Sequence, residues 1–281
     1  MMKFQKIYIE ISDICGLDCS FCPSMKNTRG KMPLWLFQKA LKDCSSYTKL
    51  IALHILGDPL KMPNIREYLA IATNYNLNVE ITTSGVYLNE FEFLLKSPIR
   101  QVNISLDAVM EIKSSHLRKQ IFRKIFDFCR TRMESQSEVF INLRIQKRAQ
   151  NKELLNILQE EFKMPISLDS NTRIGKKTII VVREPFLWNL ESAKSHHIKH
   201  TKGFCYALQT HFGILANGDV VPCCIDVGGN IILGNIAKDS IATIFNSNRT
   251  KSMIKGFKSG IIVESFCIDC SFRKQFDWFI V

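Results

Sequence analysis

Lys6-Ile-Tyr-Ile-Glu-Ile-Ser-Asp-Ile-Cys15-Gly-Leu-Asp-Cys19-Ser-Phe-Cys22 joins an alternating, β-branched run to a loop carrying three thiols. The run Lys6–Ser12 reads as a strand that leads directly into the cysteine loop. Iron–sulfur clusters are held by cysteine thiolates, usually four, so Cys-x3-Cys-x2-Cys leaves one iron with open coordination. A structural zinc site wants four protein ligands, and no fourth cysteine or histidine lies close by in sequence. The spacing points to an open-site cluster. The alternatives are a zinc site completed from elsewhere in the chain and a reactive thiol loop.

Outward from that loop, apolar strands alternate with helical patterns. Pro33–Cys44 and Pro63–Tyr75 read as helices begun by proline, where a missing N–H costs nothing. Ser115–Met133 carries Ile121, Ile125, Phe126 and Cys129 as a helical stripe, and Lys152–Phe162 is a further helix. Strands are expected at Leu50–Leu56, Asn78–Thr83, Gln101–Leu106, Glu138–Ile145 and Ile166–Asp169. This repetition predicts an α/β fold, a partial (β/α)6 TIM-like barrel over residues 1–175 with helices outside a parallel sheet. Ligands bind at the carboxyl ends of such strands. The cysteine loop, Gly57-Asp58-Pro59, Thr83-Ser84-Gly85, and Ser105 with Asp107 all fall at those ends. Residues 176–281 are expected to form a small cysteine-rich α+β domain. In it, Thr210–Leu215 and Asp219–Cys224 flank Asn217-Gly218, a strong hairpin signal.

The chain has 281 residues, a formal charge of +12 and ten cysteines. The N-terminus lacks the apolar core of a signal peptide, and no apolar run reaches the length of a membrane span. A soluble, cytoplasmic protein with reduced thiols is expected, so clustered cysteines point to metal rather than disulfides. Eight of the ten fall into two groups. Cys44 and Cys129 stand alone in helical stretches and read as small core residues. The basic charge survives the loading of two clusters. It leaves open an anionic partner such as nucleic acid, or simply a lysine-rich surface. The densest basic stretch, Arg118–Arg132, reads as the solvated face of one helix.

Cys15-Gly-Leu-Asp-Cys19-Ser-Phe21-Cys22 resembles the signature of the radical S-adenosylmethionine family, including the aromatic residue before the third cysteine. The resemblance implies that Cys15, Cys19 and Cys22 ligate a catalytic [4Fe–4S] cluster whose open iron chelates the amino and carboxylate groups of S-adenosylmethionine. Reductive cleavage then yields a 5′-deoxyadenosyl radical that takes hydrogen from substrate. The reducing partner expected is a flavodoxin or ferredoxin. Leu56-Gly57-Asp58-Pro59 stands where the family has Gly-Gly-Glu-Pro, whose backbone carbonyls receive the methionine amino group. Thr83-Ser84-Gly85 resembles its Thr-Asn-Gly, and Ser105-Leu106-Asp107 its Ser-Leu-Asp, near the ribose or methionyl carboxylate. Arg144 is either a partner for that carboxylate or part of an ordinary ion pair. Phe21 either packs on adenine or fills core.

Cys205-x12-Gly218-x4-Cys223 followed by Cys267-x2-Cys270 resembles the C-terminal SPASM or twitch extension, which binds auxiliary clusters. The full pattern has further cysteines after its Cys-x2-Cys, and this chain has none after Cys270. One auxiliary [4Fe–4S] cluster is therefore expected, on Cys205, Cys223, Cys267 and Cys270, with a zinc ribbon as the competing reading. Whether Cys223 or Cys224 is the ligand stays open. In sulfatase-maturing relatives an aspartate that acts as base follows this cysteine; Cys224 takes its place here and Asp226 lies two further on. His196, His197 and His200 read as a polar loop. The expected function is hydrogen abstraction from a peptide, protein or small molecule. RNA or a nucleotide-derived substrate is an alternative, and so is a zinc-stabilised nucleic-acid-binding protein with no enzymatic activity.

Overall fold

Strict alternation in the first strand decides how the sheet is dressed. β1 (Lys6–Ile9) buries Ile7 and Ile9 completely on one face and turns Lys6 and Tyr8 to the other, as a period of two demands. The computed structural model describes residues 3–23, 28–148, 151–188 and 202–275. Pro33 stands at the N-cap of α1 (Leu34–Cys44), which buries Leu36, Phe37, Ala40, Leu41 and Cys44, a 3.6-residue stripe. β2 (Leu50–Ala52), α2 (Ile65–Asn74), β3 (Asn78–Thr83) and β4 (Ile99–Ser105) follow. Then come a short α3 (Leu106–Met110), the long α4 (Ser115–Glu134), β5 (Phe140–Gln146) and α5 (Lys152–Phe162). Cys44 and Cys129 are fully buried in α1 and α4, as core residues.

Two sequence expectations change here. Ile166–Asp169 forms no strand; the sixth parallel strand is β7 (Thr178–Arg183), which pairs with β5 and folds back on β6 (Thr172–Gly175) as an antiparallel hairpin. The boundary expected at 175/176 thus lies in the turn of that hairpin. Arg132, read as part of a solvated face, is instead fully buried on α4, with Nε donating to the Val139 carbonyl.

The distal hairpin is where it was expected, but not as a separate layer. β8 (His211–Ile214) and β9 (Asp219–Val221) are antiparallel across Asn217-Gly218, and β8 lies parallel against β1. With β10 (Gly234–Asn235) the single sheet runs β10-β9-β8-β1-β2-β3-β4-β5-β7-β6. The C-terminal helices are α6 (Ile241–Asn246), α7 (Asn248–Lys258), α8 (Ser265–Ile268) and α9 (Ser271–Lys274). The hairpin therefore carries Cys223 and Cys224, which follow β9, to the flank of the barrel. Among the described residues, no helix is long and apolar enough to cross a membrane.

Candidate active site

The cysteine loop is anchored by two buried carboxylates just before it. Glu10, fully buried, accepts Leu56 N at 3.0 Å and Ala216 N at 3.2 Å, and pairs with Arg29 through both oxygens at 2.7 and 2.9 Å. Asp13, also fully buried, accepts the amides of Arg29 at 2.8 Å and Gly30 at 3.0 Å. One charge thereby ties the loop to the second and eighth strands, and the other closes the loop on its own return. A bidentate guanidinium–carboxylate pair suits this role because it fixes orientation as well as distance. Within the loop Cys19 is buried, while Cys15 and Cys22 are half-buried, and Cys22 N donates to the Cys19 carbonyl at 3.0 Å.

Gly57 sits where the second loop touches the first. Its φ is +71°, and an added Cβ would collide with the Ser12 carbonyl oxygen. A side chain there would meet both strain and backbone. Next to it Asp58 N donates to the Ile14 carbonyl at 3.1 Å. The Asp58 carboxylate, 1% exposed, accepts Leu60 N, Thr83 Oγ1, Ser84 N and Ser84 Oγ at 2.6–3.0 Å. Asp58 therefore clamps the second and third strand ends together. Burial pushes its carboxyl above the ordinary value, against the pull of those hydrogen bonds. The backbone at Gly57-Asp58-Pro59 is thus placed beside the cysteine loop by side chains turned away from it.

Ser105 ends β4 directly beside Arg144 of β5. Asp107 accepts Gln146 N at 2.8 Å and Asn151 Nδ2 at 2.9 Å, so it clamps the fourth and fifth strand ends much as Asp58 clamps the second and third. Burial also raises the Asp107 carboxyl. Phe21 has the Arg148 guanidinium 5.2 Å from its ring centroid, and its carbonyl accepts Trp188 Nε1 at 2.9 Å.

The inward face of the barrel is polar, where such interiors are usually filled by branched apolar residues. Glu80 is the hub: it pairs with Lys6, accepts Asn103 Nδ2 at 2.8 Å and meets Arg144 Nη2 at 3.4 Å. Burial alone would raise its carboxyl, but the charges of Lys6 and Arg144 help hold it below the ordinary value. His54 lies edge-on to Tyr8, 5.5 Å between centroids, and burial pushes its pKa down to about 3. Its imidazole is neutral at physiological pH. Three buried polar atoms of this lining, His54 Nδ1, Arg144 Nε and Gln146 Oε1, have no protein partner. Buried polar groups are rarely left so. Arg144 and Gln146, beside Ser105, fit a ligand bearing a carboxylate and donors.

None of Glu10, Asp13, Arg29, His54 and Glu80 stood out in the sequence motifs. For Glu80 the signal was one of parity: it lies between Val79 and Ile81, a polar side chain in an otherwise apolar stretch of β3.

In the second cysteine group, Cys223 and Cys224 have different neighbours. Burial is the first cause raising every thiol in it. Repulsion between thiolate forms adds to it: Cys223 feels Cys224 most, then Cys205 and Cys267; Cys205 feels Cys270; and Cys267 feels both Cys205 and Cys270. Cys224 adjoins Cys223 and also reaches the barrel interior. It shares a hydrogen bond with Tyr8, feels Lys6 and Arg144, and packs with Tyr8 and Cys22 against Ile55, Leu56, Leu215, Val221 and Val227. Asp226, fully buried, accepts Asn230 N and Ile231 N at 2.8 Å, which makes it a turn-builder. Buried neutral thiols repelling one another as thiolates suit iron, whose charge reverses that balance. Among the described residues, no three His, Cys, Asp or Glu side chains converge as tightly as a single metal ion requires. His196, His197 and His200 lie outside the described residues.

Residues 205–271 match the SPASM family model, an iron-sulfur cluster-binding domain. The chain is 22% identical over 277 residues to S-adenosyl-L-methionine-dependent 2-deoxy-scyllo-inosamine dehydrogenase of Niallia circulans, covering 95% of this chain and 93% of that relative. It superposes on the crystal structure of BtrN in complex with AdoMet and 2-DOIA with a TM-score of 0.60 at 19% identity, covering 92% of this chain and 89% of that one. For native anSMEcpe with bound AdoMet and Cp18Cys peptide the TM-score is 0.61 at 15% identity, covering 97% and 88%. For Streptococcus suis SuiB bound to precursor peptide SuiA it is 0.63 at 17% identity, covering 98% and 71%. The resemblance read from Cys15–Cys22 and from the distal cysteines is borne out, as is the partial barrel.

Proposed function

We propose that this chain is a radical S-adenosylmethionine enzyme with a SPASM-type auxiliary cluster, which reductively cleaves S-adenosylmethionine and abstracts hydrogen from a peptide or small-molecule substrate. The observation that carries this reading is the placement of the three thiols. They sit on one loop at the carboxyl end of β1, against Gly57 and the Asp58 clamp, with a second group of thiols drawn from the turn before β8, the end of the hairpin and the region of α8. Bound together, a three-cysteine [4Fe–4S] cluster and S-adenosylmethionine supply a carbon radical able to take hydrogen from an unactivated C–H bond.

The protein's own part is to position and to exclude water. Cys15, Cys19 and Cys22 would hold the first cluster; Cys205, Cys223, Cys267 and Cys270 would hold the second. The backbone of Gly57-Asp58-Pro59 offers carbonyls to the methionine amino group, with Asp58 acting through the turn it fixes and Thr83 completing the clamp. Arg144 and Ser105, side by side, take the methionyl carboxylate. Asp107 holds the strand end that presents them, and Phe21 packs on adenine beside Arg148. Glu80 pairs with Arg144 and Lys6 inside the barrel. The chain divides after β7 rather than at 175/176. It works in the cytoplasm with a reduced flavodoxin or ferredoxin.

Anaerobic reconstitution tests this reading. A brown protein with about eight irons per chain, forming 5′-deoxyadenosine under dithionite, is expected. A colourless zinc protein contradicts it.

A further inference from the structure

The amino-terminal face of the barrel, opposite the cysteine loop, carries a basic strip that the proposed chemistry does not use. One groove of about 700 Å³ runs between Phe4, Tyr47 and Phe245 on its floor and Lys251, Lys255 and Lys258 on α7. A second of about 420 Å³ continues from Phe4 and Tyr47 past Lys3, Lys49 and Arg100. All six cations are exposed, and neither groove is lined by a carboxylate. Lys251, Lys255 and Lys258 recur at four and three residues, so α7 presents them as one stripe. The aromatic floor is rigid: Phe4 packs on Phe212 and Phe245 with centroids 4.9 and 5.2 Å apart.

Both walls are hydrogen-bonded to the turn that holds Cys205. From the floor, Gln5 N donates to the Thr210 carbonyl at 2.9 Å, and Thr210 N donates to the Tyr206 carbonyl at 3.0 Å. Gln209 Nε2 donates to the Cys205 carbonyl itself at 2.8 Å. From the α7 side, Ser259 lines the groove and its neighbour Gly260 accepts Gly203 N at 2.9 Å, two residues before Cys205. The strip therefore adjoins a ligand of the distal thiol group, while the cysteine loop lies at the other end of the strands.

We infer that this strip is the docking site of an acidic one-electron carrier protein, which exchanges electrons with the auxiliary cluster. Small, charge-steered, weakly bound faces suit electron transfer, because the partner must arrive fast and leave. Each productive encounter oxidises a reduced carrier by one electron and reduces the cluster by one, with no bond made or broken. The inference rests on the proposed cluster at Cys205, Cys223, Cys267 and Cys270.

The test is stopped-flow oxidation of reduced flavodoxin by the anaerobic holoenzyme, read as the second-order rate constant across a salt series. The triple variant Lys251→Glu, Lys255→Glu, Lys258→Glu should react about tenfold more slowly at low salt and lose most of the salt dependence. A Lys119→Glu, Arg123→Glu variant, with charges reversed on α4 instead, should react like the wild type. Iron content and bleaching by dithionite should be the same in all three. Loss of those two controls in the wild type would point to failure of the cluster reading. Intact controls with equal flavodoxin rates in the triple variant and wild type would overturn the docking assignment alone. So would a labelled single-stranded oligonucleotide that binds the wild type and not the triple variant, with carrier kinetics unchanged.

Discussion

The two cysteine groups are built on opposite principles. The first is a short loop whose three thiols are brought together by chain connectivity, and whose surroundings hold it from outside through Glu10, Asp13 and Gly57. The second draws its thiols from a turn before β8, the end of the β8–β9 hairpin, and the region around α8. Its residues range from half-buried (Cys205, Cys223) to buried (Cys267, Cys270), and their thiols are raised in pKa by burial and by neighbouring thiols. Local sequence makes an open site, since three thiolates within eight residues leave a cluster one position short. In the proposed reading tertiary folding makes a closed one, since its four thiols come from distant segments and need the hairpin in place to serve one cluster. On the proposed function, the difference separates a site for chemistry from a site for electrons.

The comparison breaks most sharply at Cys19. Cys19→Ala should lose about four irons and reduce 5′-deoxyadenosine formation to background; product at the wild-type rate would show that the loop is not the catalytic ligand set. Cys270→Ala should also lose about four irons yet keep S-adenosylmethionine cleavage, with substrate turnover gone. If it keeps its full iron, the second group is not a cluster.

The neighbouring pair Cys223 and Cys224 sharpens the same contrast. Cys223→Ala should behave like Cys270→Ala, whereas Cys224→Ala should retain its iron, because its thiol faces Tyr8 and the barrel interior. Loss of iron in Cys224→Ala and retention in Cys223→Ala would reverse the ligand assignment.

Much of this was legible in the sequence because the motifs are local. The cysteine loop, the Asn217-Gly218 hairpin and the proline-started helix α1 each announce themselves within a dozen residues. What was not legible depends on distance. Ile166–Asp169 looked apolar enough for a strand, yet β7 takes the place beside β5, and an open sheet edge is settled by tertiary pairing. Asp58 departs from the family's glutamate, and its four hydrogen bonds make it a clamp between two strand ends. Glu10 and Glu80 carry no motif at all, and only the three-dimensional pairing with Arg29, Lys6 and Arg144 shows their work.

Asp58→Asn should keep both clusters but destabilise the fold by about 1–3 kcal/mol, since an amide cannot accept from all four donors and leaves some buried unpaired. Thermal melting of the holoprotein checks this, and an unchanged midpoint would deny the clamp. The smallest effect is expected at His54. It is neutral in the folded protein down to about pH 3 and binds a proton in the unfolded chain below about pH 6.5. The unfolded state then holds more protons, so stability is full above pH 6.5 and falls as pH drops below it. Replacing His54 with Asn should flatten the melting temperature between pH 6.5 and 5; a wild-type slope in the variant would locate that pH dependence elsewhere.

The most direct test of two clusters with unequal coordination is electron paramagnetic resonance of the dithionite-reduced holoprotein with and without S-adenosylmethionine. The account predicts two overlapping cluster signals, only one of which shifts on addition, and a Cys223→Ala protein that retains the shifting signal alone. A single signal in the wild type, or two that both respond, would contradict it.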